Sequence, residues 1–439
     1  MTSNSLLISR KLRELWPTLK ASERRKHFFI LPRPAAEELF LNLGTDDQIE
    51  LMTGLSEGEL RSWLRFLPPD DAADFIQGLP MEDHAHTLSL LDERTKREVM
   101  GLLAYAEDDA GGLMNSQYVR LRPEMTVEEA VGYLRAQAKT GIETIYYAYV
   151  IDTDQVLQGV VSFRDILLAP HDKLIRDFMK KELITVPEDM DREDVAMIFD
   201  KHSDLMAIPV MDANNKMKGI VTHDDIASVV QQETTEDIQK LGGMEALDAP
   251  YFRVGFFHMI QKRGGWLTVL FLGEMFTATA MGYFEDQIAK AVVLALFIPL
   301  IISSGGNSGS QASTLIIRSL ALQEIHLSDW WRVFFRELAS GLVLGSILGG
   351  IGLMRIVLWQ HWHPMYGEHY LLVAFTVAAS LIGVVLWGSL SGAMLPFVLR
   401  RLGFDPASAS APLVATLVDV TGLVIYFSFA SFILSGSLL

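Results

Sequence analysis

The chain has 439 residues, half of them hydrophobic, with 54 Asp/Glu against 37 Lys/Arg and a net charge of −17. The acids are concentrated: residues 1–250 hold 45 acids and 27 bases, whereas residues 251–439 hold 9 and 10. An acidic soluble half argues against nucleic acid as a partner, and the absence of cysteine excludes disulfides, zinc–thiolate sites and thiol nucleophiles.

The N-terminus (MTSNSLLISRKLREL) lacks an apolar core of signal-peptide length, so the soluble half is expected on the cytoplasmic side. From residue 31 a repeat of 12 begins, with Leu31, Leu43, Leu55, Leu67, Leu79, Leu91 and Leu103 in phase. Most are followed by a turn or cap element (LPRP, LGTD, LSEG, LPPD, LPME, LDER). Each unit therefore reads as a short helix with acids near its N-terminus, and stacked units predict an all-α superhelix over residues 1–112. Asp70, Asp71 and Asp74 read as caps and solvated faces.

Residues 113–230 hold a second repeat, offset by about 60–65 residues. LMNSQYVRLRPEMTVEEAVGYL pairs with FMKKELITVPEDMDREDVAMIF, and GVVSFRDIL (159–167) pairs with GIVTHDDIA (219–227). Each half predicts a β-rich segment, a helix, and a strand running into a hydroxyl-x-x-Asp turn. Ser162 with Asp165, and Thr222 with Asp225, are candidates for binding ribose hydroxyls. Neither GxxxxGK[ST] nor GxGxxG occurs, which argues against ATP hydrolysis. Residues 224–250 then read as an amphipathic helix joining the soluble half to the membrane half.

A membrane helix needs about 20 mostly apolar residues. Five stretches qualify: 264–284, 288–318, 335–359, 370–398 and 408–437. Bases alternate along their flanks, with Arg253, Lys262 and Arg263, then Arg318, Arg332 and Arg336, then Arg400 and Arg401 on one side. The positive-inside rule puts the N-terminus inside and the C-terminus outside. The second stretch contains PLIISSGGNSGSQAS, a small, polar, glycine-rich run expected to break the helix and line a wet path through Gly305, Gly306, Asn307 and Gln311. Gly309 belongs to the same run.

Away from the segment ends, the acids inside the apolar segments are Glu274 and Asp419. A carboxylate at that depth costs several kcal/mol unless it is paired, hydrated or holding a cation. Hard oxygen suits Mg2+ or Ca2+, and Mg2+ keeps several of its waters. Pro412 is expected to break the backbone ladder and expose a carbonyl such as that of Ala415, one turn before Asp419. Five helices are few to enclose an ion path, so a homodimer sharing a central path is expected.

These residues carry a resemblance along nearly the whole chain. AGGLM (110–114), MTVEEA (125–130), ETIYYAYV (143–150), TEDIQKLG (235–242), GGNSGSQ (305–311) and DPASASAPLVATLVDVTGL (405–423) resemble, in order, signatures of the MgtE family of magnesium channels. The resemblance implies a multidomain fold: a superhelical N domain (1–112), an α/β tandem pair of cystathionine-β-synthase-type (CBS) modules (113–230), a connecting "plug" helix (231–252) and a five-helix transmembrane domain (253–439). It implies a homodimer in the cell inner membrane, with Asp419 and the Ala415 carbonyl holding a hydrated Mg2+. It further implies cytoplasmic Mg2+ sensing by Asp194, Asp204, Asp225, Glu236, Asp237 and Asp405, which closes the pore. ATP is implied as a regulatory ligand of the CBS pair near Tyr149, Arg164 and Asp165.

The chain departs from that pattern at Ala411, where relatives carry Asn, and at Ser228, Gln231 and Arg192, where relatives carry acids. Weaker Mg2+ gating is expected from the loss of carboxylates. The sequence thus points to a Mg2+-selective channel and not to an enzyme. A broader divalent-cation (Co2+, Ni2+, Mn2+) transporter, or a membrane-anchored nucleotide sensor, are the alternatives.

Overall fold

The computed structural model describes residues 11–137, 146–202, 204–247, 251–363 and 366–438. Residues 1–10 of the N-terminal stretch read for a signal peptide, and residues 143–145 of the 143–150 motif, lie outside the described residues. The chain divides into two compact units, Met1–Gln231 and Gln232–Leu439.

The first unit opens with seven short helices: α1 (Ala21–Ile30), α2 (Arg33–Leu41), α3 (Thr45–Met52), α4 (Glu57–Leu64), α5 (Pro69–Gln77), α6 (Met81–Leu90) and α7 (Glu93–Leu102). Their first residues fall 12 apart without exception. The repeat leucine sits just past each helix, where it closes the turn onto the core. Caps set the phase: Asp92 accepts hydrogen bonds from the Arg94 and Thr95 amides, and Ser56 with Glu59 forms a capping box. Phe28, Phe40 and Trp63 pack with their rings tilted, 5.0–6.3 Å between centroids. Burying one such ring contributes about 1.5–3 kcal/mol.

Two three-stranded sheets follow one plan. In the first, β1 (Arg120–Leu121) runs parallel to β2 (Tyr147–Ile151), which pairs antiparallel with β3 (Leu157–Ser162). The second repeats it with β4 (Val186–Pro187), β5 (Ala207–Met211) and β6 (Met217–Thr222). Tyr147 faces Ser162 and Ala207 faces Thr222, so the two hydroxyl residues end equivalent strands. The helices α8 (Val127–Gln137), α9 (Phe163–Leu168) and α10 (Arg192–Lys201) complete the modules. One continuous core joins the superhelix to the second module, from Phe28 and Trp63 through Leu102 to Val195 and Ile208. That shared core is what brings α5 beside the end of β6.

Helix α11 (His223–Leu241) begins in the first unit and ends in the second. It stops nine residues before the end of the expected 224–250 helix. Gly242 and Gly243 follow it, and Gly243 has φ +71°, the left-handed geometry that closes a helix C-terminus.

The second unit has five long helices: α12 (Phe256–Tyr283), α13 (Ile298–Ala321), α14 (Trp330–Trp362), α15 (Tyr370–Arg401) and α16 (Ala411–Leu434). Among the described residues, the last four lie within segments long and apolar enough to cross a membrane. Helix α12 is not among them, because Glu274, its glycines and its threonines dilute its apolar run.

Two expectations are corrected here. The glycine-rich run does not break α13, which is helical from Ile298 to Ala321; the irregular piece is a 3-10 segment, Val292–Phe297, that precedes it. Its glycines serve packing instead. A methyl group on Gly388 or Gly392 of α15 would collide with the carbonyl oxygen of Gly305 or Gly309, so the two helices touch backbone to backbone. Nor does Pro412 break a ladder. It lies in the first turn of α16, where its missing N–H has no intrahelical acceptor to lose, and Ser410 caps that turn through the Leu413 amide.

Candidate functional site

In the membrane unit, α13 and α16 cross where the predicted pore residues lie. A methyl on Gly306 would stand 3.5 Å from the Ala415 Cβ and 3.8 Å from Asp419 Oδ1. Gly306, Ala415 and Asp419 therefore share one narrow place, and the half-buried carboxylate has a glycine opposite it instead of a side chain. Along α13, Ser303, Asn307, Gln311 and Thr314 form an exposed polar stripe at helical spacing. A polar stripe on a membrane helix needs water or a polar partner.

Hydroxyls fix this crossing. Ser313 donates to the Ala409 carbonyl at 2.7 Å, and Ser310 to the Ala411 carbonyl at 3.2 Å. Ser308 and Ser389 share a buried 2.7 Å hydrogen bond between α13 and α15. Trp387 donates to the Thr421 hydroxyl at 2.7 Å, tying α15 to α16. Glu274 is exposed on α12, close enough for its charge to act on Asp419. Pro412 stays at the mouth of this region, packed near Gly243.

In the soluble unit, Asp225 accepts hydrogen bonds from both the amide (3.1 Å) and the hydroxyl of Thr222. Burial, opposed by those bonds and reinforced by Asp224, pushes its carboxyl up to about 6. Asp71 of α5 is pushed up to about 7 by burial and by the charges of Asp74, Asp225 and Asp224. Asp74 is likewise pushed up to about 7 by burial and by Glu107 and Asp225. Among the described residues no base pairs with Asp71 or Asp74. In the sequence these two read as ordinary caps and solvated acids; only the fold brings α5 to Asp225, and so the cluster has no signal in the sequence. Asp194 and Asp204 are exposed and make no hydrogen bond or ion pair among the described residues. Arg192 reaches Asp108 at 3.0 Å, and its amide donates to the Asp108 carbonyl.

In the second unit, Glu236, Asp237 and Asp405 do come together, around a base that the sequence analysis did not name. Lys240 Nζ lies 2.6 Å from Glu236 Oε1 and 2.6 Å from Asp405 Oδ2. Asp237 is pushed up to about 6 by burial and by Asp405, against the pull of Lys240. Among the described residues no group of three or more His, Asp or Glu stands ready-made to hold a metal ion.

The predicted nucleotide residues divide. Ser162 donates to Asp165 at 2.7 Å and caps its amide at 3.1 Å, so this pair is satisfied within its own turn. Arg164 beside it is exposed. Tyr149 is buried edge-on to Tyr118, at 5.7 Å, between the two sheets, and its hydroxyl has no hydrogen-bond partner among the described residues.

Three family models match the chain: the MgtE intracellular N domain over residues 9–108, the CBS domain over 110–172 and 175–232, and MgtE, a divalent cation transporter, over 298–429. The magnesium transporter MgtE of Thermus thermophilus is 41% identical over 425 residues, covering 96% of this chain and 92% of that protein. The Bacillus subtilis magnesium transporter MgtE is 33% identical over 82% of this chain and 78% of its own. A solved structure described as the cytosolic domain of the Mg2+ channel MgtE in complex with ATP is 37% identical, with a TM-score of 0.47 over 51% of this chain and 93% of that one. At 41% identity over nearly the whole of both proteins, the Thermus thermophilus relative shows that the chain belongs to the MgtE family of magnesium transporters.

Proposed function

We propose that the chain is a Mg2+ channel: two copies share an aqueous path lined by α13 and α16, and Asp419 with the Ala415 carbonyl holds a mostly hydrated ion. One observation carries this, the meeting of Gly306, Ala415 and Asp419 below an exposed polar stripe. A glycine opposite the carboxylate puts no side chain over it, so the oxygen can face an ion with its waters, which Mg2+ gives up reluctantly. Influx is passive. An inside-negative potential favours a divalent cation by about 4.6 kcal/mol per 100 mV, so no pump is required. The N-terminus lies in the cytoplasm and the C-terminus outside, in the cell inner membrane, as the flanking bases favour.

Cytoplasmic Mg2+ closes the channel through the acids of the domains 1–112, 113–230 and 231–252. Asp71, Asp74 and Asp225 draw a divalent cation by charge, without forming a ready-made ligand set among the described residues, since burial and mutual repulsion, with Asp224 adding to it, leave them short of positive charge. Arg192 already supplies a cation beside Asp108, which supports gating weaker than a chain with an acid there would show. ATP is a regulatory ligand at the first CBS module, where Arg164 is free to meet phosphate.

The decisive experiment is Mg2+ uptake into liposomes by the wild type and Asp419→Ala, with Co2+ as competitor. Losing the carboxylate removes several kcal/mol of ion stabilisation, so uptake is expected to fall on the order of a hundredfold. Equal uptake overturns the assignment. Co2+ entry at a rate matching Mg2+ would favour the broader transporter, which the Ala411 position raises: its carbonyl is taken by Ser310 and it has no side-chain oxygen.

A further inference from the structure

The end of α11 is held to the membrane unit by chemistry that needs no metal ion. Asp405 uses both oxygens: Oδ1 caps the Ala407 amide at 2.8 Å and Oδ2 takes Lys240 at 2.6 Å. Lys240 reaches it while bonding Glu236 one turn earlier on its own helix. Below this contact Leu241 packs on Ala407, Ala409 and Ile317. Beyond it, a methyl on Gly243 would sit 3.0 Å from both Pro412 and Trp266, and Trp266 donates to Ser410 at 3.4 Å. The carboxylates facing the ammonium are Glu236 and Asp237 from α11 and Asp405 from the loop before α16, and Glu233 adds its charge beside Asp237. One ammonium shared at 2.6 Å between two carboxylates neutralises them only in part, and it leaves room for a divalent cation to compete.

We propose that Lys240 is a resident counter-ion that docks the end of α11 on the Asp405 loop without Mg2+, and that Mg2+ competes with it for Glu236 and Asp405. This rests on the reading of those acids as cytoplasmic Mg2+ sensors. It makes the docked state partly independent of Mg2+, through a residue four positions along the same helix from one acid and across the junction from the other.

The chain has no cysteine, so one introduced thiol is a clean probe. Ala407→Cys, in the full-length protein in detergent, places that thiol under Leu241, where Ala407 is 1% exposed. Without Mg2+, maleimide labelling should be slow. Adding Lys240→Gln should speed it about fivefold, the yield of a well-formed but half-exposed ion-pair network. Mg2+ should then slow it again, at a lower concentration than in the parent, while Lys240→Arg should keep labelling slow throughout. Asp405→Asn retains the oxygen for the Ala407 amide but loses the charge; it should speed labelling as Lys240→Gln does, and it serves if Lys240→Gln folds poorly. Unchanged labelling in Lys240→Gln and Asp405→Asn without Mg2+ overturns the proposal. So does labelling that speeds but does not respond to Mg2+. The probe reads docking and not transport, so a channel that fails the Asp419→Ala test leaves this result separately decided.

Discussion

Both units gather carboxylates, but they relieve the repulsion differently. Around Asp71, Asp74 and Asp225 no base is present among the described residues, and the acids are pushed up toward neutral pH. Around Asp237 and Asp405 a lysine lies at 2.6 Å from two of the acids. The difference matters because an unrelieved cluster stores repulsion that only a proton or a cation can release. A cluster with its own ammonium has already released part of it. The soluble cluster should therefore be the sensitive ion sensor of this chain, and the junction at Lys240 the insensitive one.

The largest expected effect comes from erasing that difference. Asp74→Lys places an ammonium beside Glu107, Asp225 and Asp71. Solvent at the rim of the cluster screens the charges, so the gain is discounted to about 1–2 kcal/mol of stability for the soluble unit at pH 8. Hydrogen exchange of strand Ala207–Met211 in the full chain should slow accordingly. Mg2+ is expected to protect this strand in the wild type and to lose that effect in the variant. Protection that persists unchanged would mean that the cluster is not where the ion acts.

A second test uses pH. Asp71, Asp74 and Asp225 have folded values of about 7, about 7 and about 6, above the ordinary carboxylate value of 3.8. A raised value means that the folded state holds its protons more tightly than the unfolded one. The stability they contribute is complete below about pH 4 and is lost as pH rises through 6–7. Above that, Mg2+ can replace the missing protons. Mg2+ protection of the soluble unit should therefore be larger at pH 8 than at pH 5.5, by about 1 kcal/mol. Equal protection at both pH values would separate the ion from these acids.

Much of the architecture could be read in the residues, and the misses have physical causes. The 12-residue leucine phase locates seven helices because each leucine must close a turn onto one core. The CBS duplication is visible because Ser162 and Thr222 end equivalent strands. The acid cluster was not visible, since Asp71 and Asp225 are far apart in the chain and meet only through the shared core. Glycine is equally suited to an unwound segment and to a close helix crossing, and so GGNSG was misread. The clue was a second pair at the same spacing: Gly388 and Gly392 match Gly305 and Gly309. Proline fits a first turn as well as a break, and Ser410 just before it was the sign of a helix start. Asp419 stands out in the sequence because a carboxylate in an apolar run is rarely there for packing.

The smallest effect isolates one hydroxyl. Thr222 donates to Asp225 through its side chain as well as its amide, and that bond is the force holding the carboxyl down near 6. Thr222→Val keeps the shape and the amide bond but removes the hydroxyl. Asp225 should then titrate higher, closer to Asp71 and Asp74, and the unit should lose about 0.5–1 kcal/mol at pH 8. Ser162→Ala is the matched control in the first module. It loses a cap worth about 1 kcal/mol but has no acid cluster to unbalance. Carboxyl resonances followed by NMR on selectively labelled aspartate would show the shift. If Asp225 moves in Thr222→Val and the Mg2+ response strengthens, the hydroxyl tunes the sensor. If the two variants behave alike, Thr222 is only a cap and the soluble cluster is set by burial alone.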